Sequence, residues 1–333
     1  MLASASRRLV IAGLVALGVL ACPAFAVARR SRLVRESFAG ARQSAFVAMA
    51  GSTRGYPCLT AGRAGSRGPI RGCSRGPRAA PGRGALLLTR ARDNQASGVV
   101  LRRSFPTSRG LNLSFTAYSW GGIGSYMGRG GDGISVMLLV APAATRIGPN
   151  GSGLGYDMKT PALNPDSPNP FPGVNAGYLG IGLDAFGNWT NANGDASNCP
   201  TPPWARTTAV PDTVTVRGPG SGVSGYCLLS STESAGHGPL RHLRLDARQR
   251  GASRLRVNIV LDPAKQRYVV RLRVQGRSRY RTVTAGALPD FYYAPGAGVL
   301  TPGLPPALTI AFAATTGWAN DNHEIADVSA VEG

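Results

Sequence analysis

From residue 84 onward the chain is a succession of short apolar runs separated by turn clusters, at residues 85–89, 98–101, 111–117, 134–141, 178–183, 213–216, 254–261, 268–274 and 308–313. Runs of this length, bounded by Gly, Pro, Asn and Asp, predict β-strands. In Arg254-Leu255-Arg256-Val257-Asn258-Ile259 and in Arg271-Leu272-Arg273-Val274, polar and aliphatic side chains alternate with period two. The arginines of these runs are therefore expected on a solvated sheet face. Asp262-Pro263-Ala264-Lys265 between the two runs predicts a turn, and with it a hairpin. No segment carries an amphipathic stripe longer than about three helical turns. The pattern predicts an all-β fold, an antiparallel β-sandwich or jelly roll, with no fixed-period repeat.

Composition agrees: 45 Gly and 25 Pro in 333 residues suit many turns better than long helices. Residues 62–84, GRAGSRGPIRGCSRGPRAAPGRG, have little to bury and are expected to form a basic Gly/Pro/Arg-rich loop. A second loop, rich in Pro and Asn, is expected at 161–173.

Residues 1–26 read as a secretory signal: Arg7 and Arg8, an apolar stretch from Leu9 to Leu20, then Ala24-Phe25-Ala26 as a small-x-small cleavage site. Ser6-Arg7-Arg8-Leu9-Val10-Ile11 suits a twin-arginine signal as well as a general one, so the export route stays open. Lipid anchoring at Cys22 is the weaker alternative, because Leu20 fits that pattern poorly. A short segment, 27–35, then leads into one domain at 36–333, expected to be secreted or periplasmic. That domain keeps Cys58, Cys73, Cys199 and Cys227, an even number that argues for two disulfides in an exported chain. Three pairings are open. Cys58–Cys73 with Cys199–Cys227 is the expected one, since each pair flanks its own Gly/Pro-rich loop. No CxxC spacing points to zinc or redox chemistry.

GYLGIGLDAFGNW, residues 177–189, places Asp184 and Asn188 four residues apart at the end of an apolar run. On composition alone these are turn formers bonding their own backbone, and Asn188-Trp189-Thr190 is also a glycosylation sequon. Calcium is the other reading: with Asn191, Asn193 and Asp195 the stretch offers the oxygen ligands that calcium takes on a curling loop.

Five motifs in order carry a resemblance: Gly131-Asp132-Gly133-Ile134-Ser135, Gly151-Ser152-Gly153-Leu154-Gly155-Tyr156, residues 177–189, Phe312-Ala313-Ala314-Thr315-Thr316-Gly317, and His323-Glu324-Ile325. Together they resemble the legume-type (L-type) lectins, in the order of the bacterial branch of the concanavalin A-like lectin/glucanase superfamily, over roughly residues 36–331. The resemblance implies a carbohydrate-binding jelly roll. It implies a cis peptide before Asp132, whose carboxylate takes sugar hydroxyls, a backbone donor near Gly153, Phe186 stacking on the sugar, Asn188 serving both sugar and metal, and a specificity loop with Trp318 and Asn320. It implies calcium on Asp184, the Phe186 carbonyl, Asn188 and Asp195. The plant members' transition-metal glutamate falls on Gly182, so no transition metal is expected. Plant relatives pair through sheet edges, which makes a homo-oligomer part of the expectation.

Enzymes are disfavoured. Glycosidases of related fold need paired carboxylates, whereas the glutamates here are only Glu36, Glu233, Glu324 and Glu332, without E-x-D-x-E spacing. The nearest cluster, Asp321, Glu324 and Asp327, reads as a polar turn entering a final strand. His237, His242 and His323 read as surface or loop residues, and Gly220–Gly225 as a turn despite its GxGxxG letters. The net charge is +21, with only Lys159 and Lys265 as lysines. A basic exported surface can engage anionic polymers, but 7% aromatic content without aromatic-basic interleaving offers no nucleic-acid stacking platform. The expectation is an exported, non-enzymatic, calcium-supported lectin. Its rival is a structural or adhesion module that binds anionic polymers through its basic surface; a glycan hydrolase ranks third.

Overall fold

A computed structural model describes residues 31–51, 55–122, 124–142, 144, 146–161, 169–191, 198–236, 245–296 and 298–333. The signal expected at 1–26, with Cys22, lies outside the described residues, as do Asp195, His237, His242 and most of the loop expected at 161–173.

Two antiparallel sheets make the body. One holds eight strands: β1 (Arg32–Glu36), β3 (Cys58–Ala64), β4 (Leu86–Thr89), β6 (Leu111–Trp120), β13 (Leu255–Asp262), β14 (Arg267–Val274), β15 (Arg281–Ala287) and β19 (Asn322–Glu332). Their order is β15-β14-β13-β6-β19-β4-β3, with β1 also against β19. The other holds nine: β2 (Phe46–Met49), β5 (Ala96–Pro106), β7 (Gly133–Val140), β8 (Gly177–Asp184), β9 (Thr213–Arg217), β10 (Gly220–Ser221), β11 (Ser224–Gly225), β12 (Leu228–Ser231) and β18 (Ala307–Thr315). Here the order is β11-β10-β8-β7-β18-β5-β2, with β9 on β8 and β12 on β9. A small ribbon pairs β16 (Phe291–Tyr293) with β17 (Leu300–Pro302). Among the described residues there is no α-helix, only short 3-10 turns. The antiparallel β-sandwich expected from the pattern is the fold that forms.

Period-two alternation explains β13 and β14. Leu255, Val257, Ile259 and Leu261 face the core while Arg256 looks out, directly opposite Arg273. The hairpin closes at Pro263–Lys265, where the Asp262 carboxylate accepts the Lys265 backbone N–H at 3.2 Å and its ammonium at 3.0 Å. Between the sheets, Leu113, Phe115, Val257 and Ile325 meet Val136, Leu138, Ile310 and Phe312. Burying each such side chain stabilises by roughly 1.5–3 kcal/mol. Both expected disulfides, Cys58–Cys73 and Cys199–Cys227, form.

The nine-stranded sheet is covered on its other face as well. Met137, Leu139, Ala311 and Ala313 lie beneath Ile147, Leu154, Tyr156, Trp189 and Tyr226. Burial on both faces is why β7 and β8 read as continuous apolar runs instead of alternating. It also explains two glycines of residues 177–189: a Cβ at Gly180 would overlap the Tyr156 ring, and one at Gly182 the Trp189 ring. Under this cover Arg217 is wholly buried. Its Nε stands 3.1 Å from Asp157 Oδ2, and its guanidinium donates to the carbonyls of Trp189 (3.0 Å), Asn191 (2.8 Å) and Tyr226 (2.9 Å). An unpaired charge here would be prohibitive; the ion pair and carbonyls together satisfy it.

Three expectations need correction. Residues 32–35, expected in a leading segment, form β1 against β19. The basic stretch at 62–84 buries more than its composition suggests, because β3 runs on to Ala64 and Ile70 and Cys73 enter the interior. His323, expected at the surface or in a loop, is fully buried in β19, its Nδ1 2.6 Å from Thr89 Oγ1. Gly220–Gly225, expected as a turn, is the tight turn that joins β10 to β11. Gly182→Ala should lower stability by about 1–3 kcal/mol through overpacking against Trp189. Gly251→Ala, whose added Cβ meets nothing within 4 Å, should leave it within about 0.5 kcal/mol. Urea midpoints of the two variants, compared with wild type, check this.

Candidate functional site

Strand register assembles the site. Gly133 of β7 pairs with Asp184 of β8 on one side and Thr315 of β18 on the other, so three strand ends finish level. The residues just past those ends are Asp132, the turn from Ala185 to Asn191, and the loop from Thr316 to Asp321. The Asp132 N–H donates to the Thr315 carbonyl at 3.0 Å, and its own carbonyl accepts from Ala185 (2.9 Å) and Phe186 (3.2 Å). The Gly131–Asp132 peptide is cis.

The Asp132 carboxylate is buried, and its Oδ2 has no hydrogen-bond partner. A Cβ built on Gly317 would stand 3.1 Å from that oxygen, and one on Gly151 3.9 Å. Backbone thus lines the carboxylate on two sides. Gly153 belongs to the same 3-10 turn, Gly151–Gly153, but abuts Pro149 and Asp157 instead. Gly151 is therefore the glycine beside Asp132. Its φ of 68° was not readable from the motif, whose glycines look alike.

Asp184 is buried at the end of β8, where its Oδ1 accepts the Gly187 N–H at 2.7 Å and its Oδ2 the Trp189 N–H at 2.6 Å. These bonds shape the turn that carries Phe186 and Asn188, both half-buried, with Asn188 heading the 3-10 turn Asn188–Thr190. Burial pushes the Asp132 pKa up to about 8, and the neighbouring Asp184 carboxylate raises it further while Lys159 and the Gly317 backbone N–H offset part. Burial likewise pushes Asp184 up to about 7 against the two backbone N–H bonds. Two buried carboxylates that repel each other form a place a cation would relieve. Asp184, the Phe186 carbonyl and Asn188 supply only oxygen, which is the donor chemistry of calcium. Asp195 lies outside the described residues, and among the described residues no three His, Cys, Asp or Glu gather as a metal cluster.

On the other side of Asp132 stands an aromatic wall. Phe186 packs beside Gly131, and Trp318, next to Gly317, is 66% exposed. Tyr126, which sequence reasoning missed, joins them: its ring centroid lies 6.0 Å from Phe186 and 5.4 Å from Trp318. The available signal was a lone aromatic between glycines 121–131, immediately ahead of Asp132. Asn320 does not present its side chain to this space; Nδ2 donates to Asp93 Oδ1 at 2.6 Å and its backbone N–H to Ser125 Oγ at 2.9 Å. It ties loops together.

The C-terminal acidic cluster does not converge on a cleft. Glu324 is buried between Arg250 Nε (2.5 Å) and Trp120 Nε1 (3.3 Å), and Asp327 accepts from Thr116 Oγ1 at 3.2 Å. Asp321 sits apart, accepting the Gly122 N–H at 2.7 Å.

No protein-family model and no curated protein matches the chain. Among solved structures it is similar to the exoplasmic/lumenal domain of VIP36 in its Ca2+/Man3GlcNAc-bound form, at 13% identity over 75% of this chain and 80% of that one, with a TM-score of 0.44. It is also similar to basic winged bean lectin with Tn-antigen, at 14% identity over 75% and 88%, TM-score 0.43. A third is lectin I-B4 from Griffonia simplicifolia in its metal-free form, at 13% identity over 74% and 86%, TM-score 0.41.

Two buried groups near the site set a pH dependence of stability. Burial pushes Asp321 up to about 8, with the Asp246 carboxylate adding and the Gly122 N–H offsetting. The folded state then holds a proton that the unfolded state releases near pH 4, so this contribution is lost as pH rises from about 4 to about 8. Burial pushes His323 down to about 3. Its contribution is present above about pH 6.5 and is lost as pH falls toward 3. In denaturant titrations across this range, Asp321→Asn should gain on wild type as pH rises from 4 to 8. A difference that stays flat with pH would contradict the assignment.

Proposed function

We propose that this protein is an exported carbohydrate-binding protein that holds glycan hydroxyls non-covalently at the ends of β7, β8 and β18. The observation that carries the reading is the buried, unpartnered Oδ2 of Asp132 beside an aromatic wall. A sugar has the matching chemistry, with a polar hydroxyl rim and an apolar C–H face. In this reading Asp132 accepts from sugar hydroxyls, backbone of the Gly151–Gly153 turn and the Asn188 carboxamide add polar contacts, and Phe186 and Trp318 cover the apolar face. Calcium would be held by Asp184, the Phe186 carbonyl and Asn188, with Asp195 as the further expected ligand, and would supply positive charge beside Asp132 and Asp184. Two disulfides belong to an oxidising compartment, which supports secretion or a periplasmic location.

The rival reading is an adhesion module that engages anionic polymers. It rests on Arg256 and Arg273, which stand directly opposite each other across β13 and β14. Like charges directly opposite are destabilising and would be relieved by a polyanion.

Hydrogen bonds to a charged carboxylate contribute roughly 1.5–3 kcal/mol each, so Asp132→Asn should weaken glycan binding by about tenfold or more per bond lost while the fold persists. Calcium should raise the melting temperature of wild type by mass action and a chelator should reverse it. Glycan-array binding and thermal scans read both. Binding that follows ionic strength alone, indifferent to Asp132 and chelator, would transfer the function to the arginine face.

A further inference from the structure

The loop at residues 121–131 has more built into it than a connection between β6 and β7 needs. Its two ends are fixed by buried or half-buried carboxylates: the Gly122 N–H donates to Asp321 Oδ1 at 2.7 Å, and the Gly130 N–H to Asp246 Oδ2 at 3.0 Å. Its tip is fixed too, since Ser125 Oγ accepts the Asn320 N–H at 2.9 Å and donates to the Arg129 carbonyl at 3.2 Å. Between these anchors Tyr126 is held against both Phe186 and Trp318, at 61° to the Trp318 ring.

The result is three rings in sequence, with Phe186 beside Gly131 at one end and Trp318 beside Gly317 at the other. Centroid spacings of 6.0 and 5.4 Å each match the breadth of one pyranose ring, so the row offers more wall than a single sugar covers. Trp318 at 66% exposure and the neighbouring Met127 at 75% leave a large apolar area in water at the mouth of the site. Exposed apolar area gathered beside a polar site is a candidate ligand surface.

We propose that Tyr126 and Trp318 form a second subsite, and that the ligand is an oligosaccharide whose adjoining sugar lies on these rings while the first is held at Asp132. This rests on the sugar-binding reading of Asp132. Because rings bind an apolar C–H face and not a hydroxyl pattern, the second subsite contributes chain-length preference more than sugar identity. These anchors hold the backbone beneath the Tyr126 and Trp318 rings, which lowers the ordering cost of binding.

Titration calorimetry of the full chain with matched pairs tests this: glucose with maltotriose and with cellotriose, mannose with mannotriose, galactose with galactotriose. Wild type should bind the trisaccharide of at least one pair about tenfold more tightly than its monosaccharide. Tyr126→Ala should abolish that gain and leave monosaccharide affinity within about twofold, Trp318→Ala should abolish the gain and also weaken the monosaccharide, and Tyr126→Phe, which keeps the ring, should retain it. Equal affinities within every wild-type pair, or a Tyr126→Ala variant that weakens both members alike, overturn the second subsite and leave the Asp132 site standing. Wild type that binds no member of any pair overturns both. Sedimentation that shows a wild-type dimer dissolved by Trp318→Ala would make the wall an interface between copies, and overturn the subsite as well.

Discussion

The pairing of Gly133 with Asp184 and Thr315 is the constraint on which the rest of the site depends. Side chains alternate along a strand, so a slip of one residue would reverse the faces of β7 and part Asp132 from the turn at Ala185. Two kinds of burial hold the register. Val136, Leu138, Ile310 and Phe312 are committed to the intersheet core, and Met137, Leu139, Ala311 and Ala313 to the outer cover. Neither set can exchange with the other without emptying one core into the other.

That outer cover gives residues 177–189 a meaning beyond a strand end. Gly180 and Gly182 leave space into which Tyr156 and Trp189 settle, and the backbone around Trp189 is then held from below by Arg217. Asp184 holds the same turn from inside through Gly187 and Trp189. The turn that presents Phe186 and Asn188 is thus braced by a buried carboxylate and a buried guanidinium. The plain reading of Asp184 as a turn former is correct as far as it goes. The neighbouring Asp132, buried and pushed up further by the Asp184 carboxylate, is what makes the turn chemically consequential.

The loop from residue 121 to 131 and the loop from Thr316 to Asp321 are braced in a similar way. Asp321 and Asp246 bond backbone N–H groups and Asn320 bonds Asp93, which ties down the loops that carry the half-buried Tyr126 and the exposed Trp318. Rigid backbone beneath exposed rings suits recognition of a ligand with apolar faces. Of the C-terminal acidic residues, Glu324 is engaged by Arg250 and Trp120, and Asp327 by Thr116.

Much of the sandwich was legible in the residues, because period-two alternation and glycine-rich turns report local geometry directly. The strands that escaped notice have other reasons for pairing. β19 carries His323 and Glu324 into the interior, where Thr89 meets the His323 Nδ1 and Arg250 pairs with Glu324, so its letters look like a polar turn. β1 joins the far end of that same strand, a contact no local pattern encodes. Asp132, Phe186 and Trp318 could be singled out as candidates, yet their meeting point could not be worked out along the chain. By itself, then, the sequence determined an all-β sandwich and a set of polar and aromatic candidates at strand ends. Tertiary structure alone decided that Gly151 and not Gly153 borders Asp132, that Asn320 is a tie between loops, and that Tyr126 completes the wall. Those outcomes depend on strand register and loop anchoring between residues distant in the chain, which local preference does not record.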